Sequence, residues 1–92
     1  MLVGGNPYQD GDRLSHTFTR QFSATVAPME LVWHMDHCDR YVTVLEGNGW
    51  GIQMDDCMPR ILEVNSTVFI PKNTFHRLIK GIGNLTICIR EV

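Results

Sequence analysis

Short runs of alternating apolar and polar residues extend along most of the chain, and no segment repeats its apolar residues at the spacing of an amphipathic helix. A period of two places successive side chains on opposite faces of an extended strand. The pattern predicts eight short strands, at residues 14–22, 29–35, 41–45, 50–54, 60–64, 67–70, 75–79 and 85–92. Strands of this length at near-even spacing are typical of an all-β sandwich or barrel.

The segments between these runs have the residues of tight turns. Residues 46–49 (EGNG) and 81–84 (GIGN) combine glycine with asparagine, and Asn65 and Asn73 lie in the other turn-like places. Glycine accepts a positive φ without steric cost, and asparagine tolerates it better than most other residues. These segments therefore predict hairpin connections between antiparallel strands.

The length of 92 residues allows one domain, residues 1–92, because half this length could not form a second core. Residues 1–13 are rich in glycine and asparagine, so we expect a flexible arm or an arm that contacts a dimer partner. The apolar strand predicted at 14–22 has an edge that needs covering, which favours a homodimer.

The charge and the apolar pattern exclude two classes of partner. The net charge is −2 and the lysines and arginines are scattered, so nucleic acid is not an expected partner. No run approaches the ~20 apolar residues of a membrane-spanning helix, and no secretion signal is recognisable, so we expect a cytoplasmic protein. The three cysteines, Cys38, Cys57 and Cys88, are widely spaced and are expected to be free thiols.

The densest polar group occupies residues 34–40 (HMDHCDR). His34 and Asp36 are two residues apart and would project from one face of a strand, whereas His37 would project from the other. His76 follows a proline turn at the start of another predicted strand, where antiparallel pairing would place it opposite this pair. Two imidazoles and one carboxylate leave coordination positions open, a donor set suited to Fe(II), Mn(II), Ni(II) or Zn(II).

Two segments of the chain resemble the motifs of the cupin superfamily. Residues 28–47 resemble the first motif, G-x5-H-x-H-x3-4-E-x6-G, and residues 65–80 resemble the second, G-x5-P-x-G-x2-H-x3-N. The positions that match, including the first and the last metal-binding histidine, are His34, Gly47, Pro71 and His76. The two motifs in this order on an all-β chain form a more specific signal than either motif alone.

The sequence also departs from these motifs. In the first motif, Pro28 replaces the first glycine, Asp36 the second histidine and Arg40 the glutamate. In the second motif, Asn65 and Asn73 replace the two glycines, and Lys80 replaces the final asparagine. Asp36 can bind a metal, but Arg40 has no free lone pair. The usual four-ligand site is thereby reduced to three, unless His37, Asp39 or Gln53 contributes. A β-bulge at residues 37–39 would change which of these side chains faces inward.

The resemblance implies a double-stranded β-helix, a jelly-roll barrel that is often dimeric and holds a metal or a small ligand. It implies no single reaction, because cupins include enzymes of several classes, storage proteins and regulators. We expect a small metal-binding cupin that acts on or senses a small anionic or polyol-like metabolite. A metal-free ligand-binding module is the main alternative. The pattern of His34, Asp36 and His76 also resembles the triad of 2-oxoglutarate oxygenases, so an Fe(II)-dependent dioxygenase is a further one.

Arg40 has two interpretations at this stage. It forms an ion pair with Asp36 or Asp39 in a metal-free polar network, or it clamps a substrate carboxylate or phosphate beside the metal. The sequence leaves both open, and it also leaves open whether the protein is an enzyme.

Overall fold

The computed structural model of the chain describes residues 8–27 and 31–92. Within these ranges the secondary structure consists of eight β-strands, without a helix. The strands are β1 (Tyr8–Asp10), β2 (Thr17–Phe22), β3 (Arg40–Asn48), β4 (Gly51–Met54), β5 (Arg60–Ile61), β6 (Thr67–Ile70), β7 (His76–Ile79) and β8 (Ile82–Glu91). The all-β class predicted from the sequence is confirmed. The described residues contain no helix with the length and apolar character needed to cross a membrane.

The strands form two antiparallel sheets. The larger sheet has the order β1-β2-β8-β3-β6, and the smaller one has the order β5-β4-β7. Strand β8 lies between β2 and β3, where Thr17 pairs with Arg90 and Val44 pairs with Ile87. The two longest strands, β3 and β8, therefore form the centre of the larger sheet.

Alternate side chains of the central strands are buried, as the period-two pattern predicts. On β8, Leu85, Ile87 and Ile89 are buried and the residues between them are more exposed. Residues from both sheets join in one apolar cluster. Its members are Phe18, Phe22, Val26, Val42, Val44, Trp50, Ile52, Leu62, Val68, Ile70, Leu85, Ile87 and Ile89. The core thus lies between the two sheets.

The backbone of the turns agrees with the turn chemistry of the sequence. Asn65 and Asn73 have φ angles of 71° and 58°, and Gly49 has a φ of 73°. These angles belong to the left-handed region, which glycine and asparagine tolerate better than most residues. Asn65 and Asn73 lie in turns as predicted. The predicted hairpins are wrong, because the strands on either side of residues 46–49, Asn65, Asn73 and residues 81–84 belong to different sheets and do not pair with each other.

The strand predicted at residues 29–35 is wrong in its described part, residues 31–35. Only His34 pairs there, through an isolated bridge to His76. Val32 and Trp33 are 60% and 42% exposed, so of the described apolar run only Leu31 packs against the core. Residues 29 and 30 lie outside the described residues. The polar group that follows is consequently placed by an irregular segment rather than by a strand.

The predicted positions of a bulge and of two strand ends also differ from the structure. Residues 37–39 precede β3, and the irregular pairing occurs later, between Val44 and Glu46 and between Glu46 and Asn48. The strand predicted at 60–64 is limited to two residues, and β8 begins at Ile82 rather than at residue 85.

Part of the predicted arm, residues 1–13, belongs to the larger sheet. Strand β1 pairs with β2, with Tyr8 opposite Phe22 and Asp10 opposite Arg20, while residues 1–7 lie outside the described residues. Because β1 covers β2, the edge strands of this sheet are β1 and β6. The reason given for a homodimer therefore does not apply to residues 14–22, and the homodimer stays a prediction.

Two glycines, one just before β8 and one within its first residues, allow a matched test of backbone packing. A Cβ atom on Gly81 would collide with the backbone of Asn48 and Trp50, whereas one on Gly83, with a φ of 75°, would meet nothing within 4 Å. We expect Gly81→Ala to lower the free energy of unfolding by about 3 kcal/mol or more, and Gly83→Ala by about 1 kcal/mol. Urea unfolding of both variants measures the difference. Equal losses would show that the close approach at Gly81 is relieved by small backbone shifts.

Candidate metal centre

His34 and His76 are held opposite each other by their own backbones. His76 opens β7, and each histidine donates its backbone N–H to the carbonyl oxygen of the other, at 3.0 and 2.9 Å. The centroids of the two imidazole rings lie 4.3 Å apart. His76 is buried, with 4% of its surface exposed, whereas His34 lies nearer the surface. A single backbone bridge thus sets the spacing of two metal-binding side chains.

Both imidazole rings are oriented by a backbone carbonyl two residues earlier in the chain. Nδ1 of His34 lies 3.0 Å from the carbonyl oxygen of Val32, and Nδ1 of His76 lies 2.8 Å from that of Thr74. Because a carbonyl oxygen only accepts, Nδ1 carries the hydrogen in each ring. The lone pair of each neutral ring is then on Nε2. This tautomer is the one that a carbonyl partner selects in histidines that bind a metal through Nε2.

Asp36 completes a group of three possible ligands. One ligand atom from each of His34, Asp36 and His76 lies within 4.8 Å of the others. Oδ2 of Asp36 is 3.3 Å from Nε2 of His76, and two donors bonded at about 2.1 Å to the same ion are roughly 3.0–3.4 Å apart. Among the described residues, this buried oxygen has no hydrogen-bond donor. Asp36 and His76 thus have the spacing of two ligands to one ion, with His34 in the same group, and a divalent ion there would satisfy an otherwise unpaired oxygen.

Arg40 connects this group to a second carboxylate. Its Nη1 is 3.2 Å from Oδ1 of Asp36, and its Nε and Nη2 donate to Oε2 of Glu91 at 3.0 and 2.6 Å. Arg13 donates to the other oxygen of Glu91 at 2.7 Å. The positive charges of Arg13 and Arg40 therefore balance the negative charges of Asp36 and Glu91, with no charge required on the histidines.

The electrostatics of this network keep both carboxylates ionised. Burial alone would raise the pKa of Asp36, but the hydrogen bond that a protonated His76 would donate and the charge of Arg40 outweigh it and lower the pKa below its ordinary value. Burial also opposes ionisation of Glu91, yet the hydrogen bonds and charge of Arg40 lower its pKa overall. Asp36 is therefore available as an anionic ligand at neutral pH.

The lowered pKa of Glu91 makes a pH dependence of stability testable with Glu91→Gln. The folded state binds fewer protons than the unfolded state here, so the stabilisation is present above the unfolded pKa of glutamate and is lost as the pH falls through the folded value. We expect Glu91→Gln to lower the free energy of unfolding by about 1 kcal/mol at neutral pH, after allowance for solvent screening.

The measurement is urea unfolding of the Glu91→Gln variant between pH 3 and 7. The stability of the variant should fall less steeply in acid than that of the wild-type protein. Glu46→Gln is the control, since Glu46 is exposed and accepts a hydrogen bond from Thr86. Parallel pH curves for the wild type and Glu91→Gln would contradict the role of Glu91.

The structure does not bring the alternative ligands into this group. His37 is exposed, and Oδ1 of Asp39 accepts the backbone N–H of Lys72 at 2.8 Å. Gln53 pairs with Arg77 across β4 and β7, and its Oε1 accepts from Nε of Arg77 at 3.0 Å. Gln53 does not line the cavity beside the candidate ligands, whereas the preceding residue, Ile52, does.

The structure agrees with the ion-pair interpretation of Arg40, because its guanidinium lies within ion-pair distance of Asp36. Asp39, the other predicted partner, bonds to the backbone instead. The sequence alone does not identify Glu91 or Arg20 as site residues. Glu91 is two residues after buried Ile89, and Arg20 is two residues from each of buried Phe18 and Phe22, so both lie on the inner face of their strands.

A cavity of about 260 Å³ adjoins the three candidate ligands. Its lining is largely apolar and comes from both sheets and from the irregular segment before β3. The lining residues are Tyr8, Arg20, Phe22, Leu31, Val32, His34, Asp36, Arg40, Val42, Ile52, Leu62, Ile70, His76, Leu78, Ile87 and Ile89. A cavity slightly below the usual size range of ligand pockets suits a small molecule.

Comparison with known proteins identifies the fold. No protein-family model and no curated protein sequence matches the chain. Among solved structures, a cupin-2 domain-containing protein from Shewanella frigidimarina NCIMB 400 is similar with a TM-score of 0.63 and 17% identity, over 96% of this chain and 81% of that chain. The chain has the cupin fold. The double-stranded β-helix implied by the sequence motifs is thereby confirmed.

Larger proteins contain a similar cupin unit. The FeII form of HppE is similar with a TM-score of 0.70 and 14% identity, over 92% of this chain and 50% of that chain. HppE also has a solved CoII form. The DMSP lyase DddQ from Ruegeria pomeroyi DSS-3 has a TM-score of 0.65 at 14% identity, over 82% of this chain and 36% of that chain. The chain spans half or less of these two proteins, and at such identities the likeness shows the fold alone.

Proposed function

We propose that this cupin binds one divalent transition-metal ion through His34, Asp36 and His76, and acts on or senses a small metabolite in the adjoining cavity. The observation that carries the proposal is the unpaired, buried Oδ2 of Asp36, which faces two imidazoles whose Nδ1 atoms are already bonded. Arg40 balances the charge of Asp36 at Oδ1, but a buried carboxylate oxygen without a hydrogen-bond donor is costly, and a cation at Oδ2 would remove that cost.

The donor set supports Fe(II), Mn(II), Ni(II) or Zn(II), because imidazole and carboxylate suit all four ions. The solved FeII form of HppE supports iron among these metals, and its CoII form shows that a protein of this fold can hold another divalent transition ion. When bound, the ion would act as a Lewis acid, and its remaining coordination positions would be available to a ligand in the adjoining cavity. The apolar lining would exclude water from a bound molecule, while the polar residues at the cavity wall would orient it. We propose an anionic or polyol-like ligand on this basis.

The test is metal reconstitution of protein purified with a chelator. Anaerobic dialysis against each ion, followed by elemental analysis, should give about one ion per chain. Co(II) provides a second readout, since its visible absorption reports ligand number and type. A chain that retains none of the ions after gel filtration would remove the proposal.

A metal-free binding module is the second candidate, and the contact between Arg40 and Asp36 favours it. In that case the guanidinium supplies the positive charge that Asp36 needs, and the cavity holds a ligand without an ion. Ligand binding that is unaffected by a chelator, together with failed reconstitution, would establish this alternative. The homodimeric state and the cytoplasmic location remain predictions.

A further inference from the structure

Arg20 places a cation in the wall of the cavity. It follows the parity of Phe18 and Phe22, which are buried on the inner face of β2, and its side chain is only 11% exposed. Arg20 lines the same cavity as His34, Asp36 and His76. A charged residue on an inner strand face is unusual unless it is paired or has a ligand to bind.

The charge of Arg20 is only partly matched. Its Nε and Nη2 donate to the two oxygens of Asp10 at 2.7 and 3.1 Å, and the Asp10 side chain is 31% exposed. The guanidinium carbon lies 3.7 Å from the ring centroid of Tyr8. A guanidinium has five N–H bonds, so three remain, and no other acceptor bonds to them among residues 8–27 and 31–92.

Arg20 and Arg40 therefore differ in what they can still bind. Arg40 contacts two carboxylates, Asp36 and Glu91, both of them partly buried. Arg20 contacts one carboxylate, whose greater exposure lets water screen it. The stronger anion site of the cavity is consequently at Arg20.

We infer that Arg20 binds an acidic group of the cavity ligand, at a site separate from the three candidate metal ligands. A guanidinium edge recognises a carboxylate or a phosphate through parallel hydrogen bonds. The apolar residues that line the rest of the cavity, among them Val42, Ile52 and Leu78, would contact a short hydrocarbon portion. The ligand class is thus a small acid with an apolar stem. The ligand would also have a polar second end that faces the metal at His34 and His76, and this part of the inference rests on the proposed function.

The first experiment uses protein without metal, so that it tests Arg20 alone. 4-Methylpentanoate and 4-methylpentanamide, which differ in charge and not in shape, are titrated into the protein and followed by NMR chemical shifts. The wild-type protein should prefer the acid, and Arg20→Gln should reduce that preference by about tenfold or more. Arg90→Gln is the matched control, because Arg90 stacks on exposed Tyr41 outside the cavity.

Asp10→Asn separates a ligand site from a simple link between β1 and β2. A ligand site should keep or increase its preference for the acid, because Arg20 loses its competitor. If the two variants lose the preference equally, or if Arg20→Gln keeps it, the inference is overturned. Should Arg20→Gln fail to fold, Arg20→Lys replaces it. Arg20→Lys should prefer the acid over the amide, but less strongly than the wild-type protein does. A full wild-type preference in Arg20→Lys overturns the inference.

The second experiment separates this inference from the proposed function. Zn(II)-loaded protein is titrated with 2-hydroxyadipate and with its 6-amide, whose hydroxy-acid end can chelate the ion. If the Zn(II)-loaded protein prefers 2-hydroxyadipate over its 6-amide, and Arg20→Gln removes this preference, both the metal site and the Arg20 site are supported. Failure to bind Zn(II) removes the proposed function while the metal-free titration still decides on Arg20. Tight binding of Zn(II) without any acid preference removes the Arg20 site alone.

Discussion

His76→Ala and Asp36→Asn are each expected to weaken the binding of a divalent transition ion by about a hundredfold or more. His76→Ala removes one of three protein donors, and Asp36→Asn replaces an anionic oxygen donor with a weaker, neutral one. His76→Ala also removes the buried imidazole whose Nε2 faces Oδ2 of Asp36 at 3.3 Å. Competition with a chelator of known affinity, followed by elemental analysis, measures the loss.

His37→Ala is the control for both substitutions, because His37 is an exposed neighbour of the same segment. It should bind the ion as the wild-type protein does. Folding of each variant is checked by circular dichroism, since the buried position of His76 also contributes to packing. Unchanged affinity in His76→Ala and Asp36→Asn would place the metal elsewhere or remove it from the protein.

Arg40→Ala is expected to destabilise the metal-free protein by about 2 kcal/mol and to raise metal affinity by about tenfold. The arginine is the shared partner of Asp36 and Glu91, so its removal leaves two carboxylates with less compensation. A divalent ion would restore the charge balance at Asp36, and the absence of a nearby cation reduces the repulsion that the ion meets. Thermal unfolding with and without the ion, and a chelator titration, measure the two effects.

The same comparison tests the other interpretation of Arg40, as a clamp on a substrate anion. A clamp predicts weaker binding of small carboxylates and sugar phosphates in Arg40→Ala, with unchanged metal affinity. Arg90→Ala serves as the control for the loss of one positive charge. Metal affinity that stays at the wild-type value in Arg40→Ala would argue against the ion-pair role.

The fold follows from the sequence to the extent that burial alternates along the strands. The β8 residues Leu85, Ile87 and Ile89 show this alternation clearly, and the turns at Asn65 and Asn73 separate the strands as expected. Strand β1 has no such pattern, because two of its three residues are polar and exposed. It forms through its pairing with β2, a contact that local sequence does not encode.

The grouping of His34, Asp36 and His76 is predicted for a reason that is only partly right. The segment around His34 is not a strand, yet the bridge to His76 holds it beside β7. Glu91 could not be assigned to the site from local pattern, since its contact with Arg40 depends on β8 lying next to β3. The residues that complete the polar network therefore depend on pairing between distant parts of the chain.

The position of β8 between β2 and β3 has a consequence for the folding rate. The pairing of Thr17 with Arg90 joins residues far apart in sequence, so a long loop must close before this pair can form. Folding dominated by such contacts is slow, on the order of milliseconds to seconds. Glu91 reaches Arg40 only when β8 is docked on β3, so the charged surroundings of the candidate metal ligands depend on the same long-range pairing that slows folding.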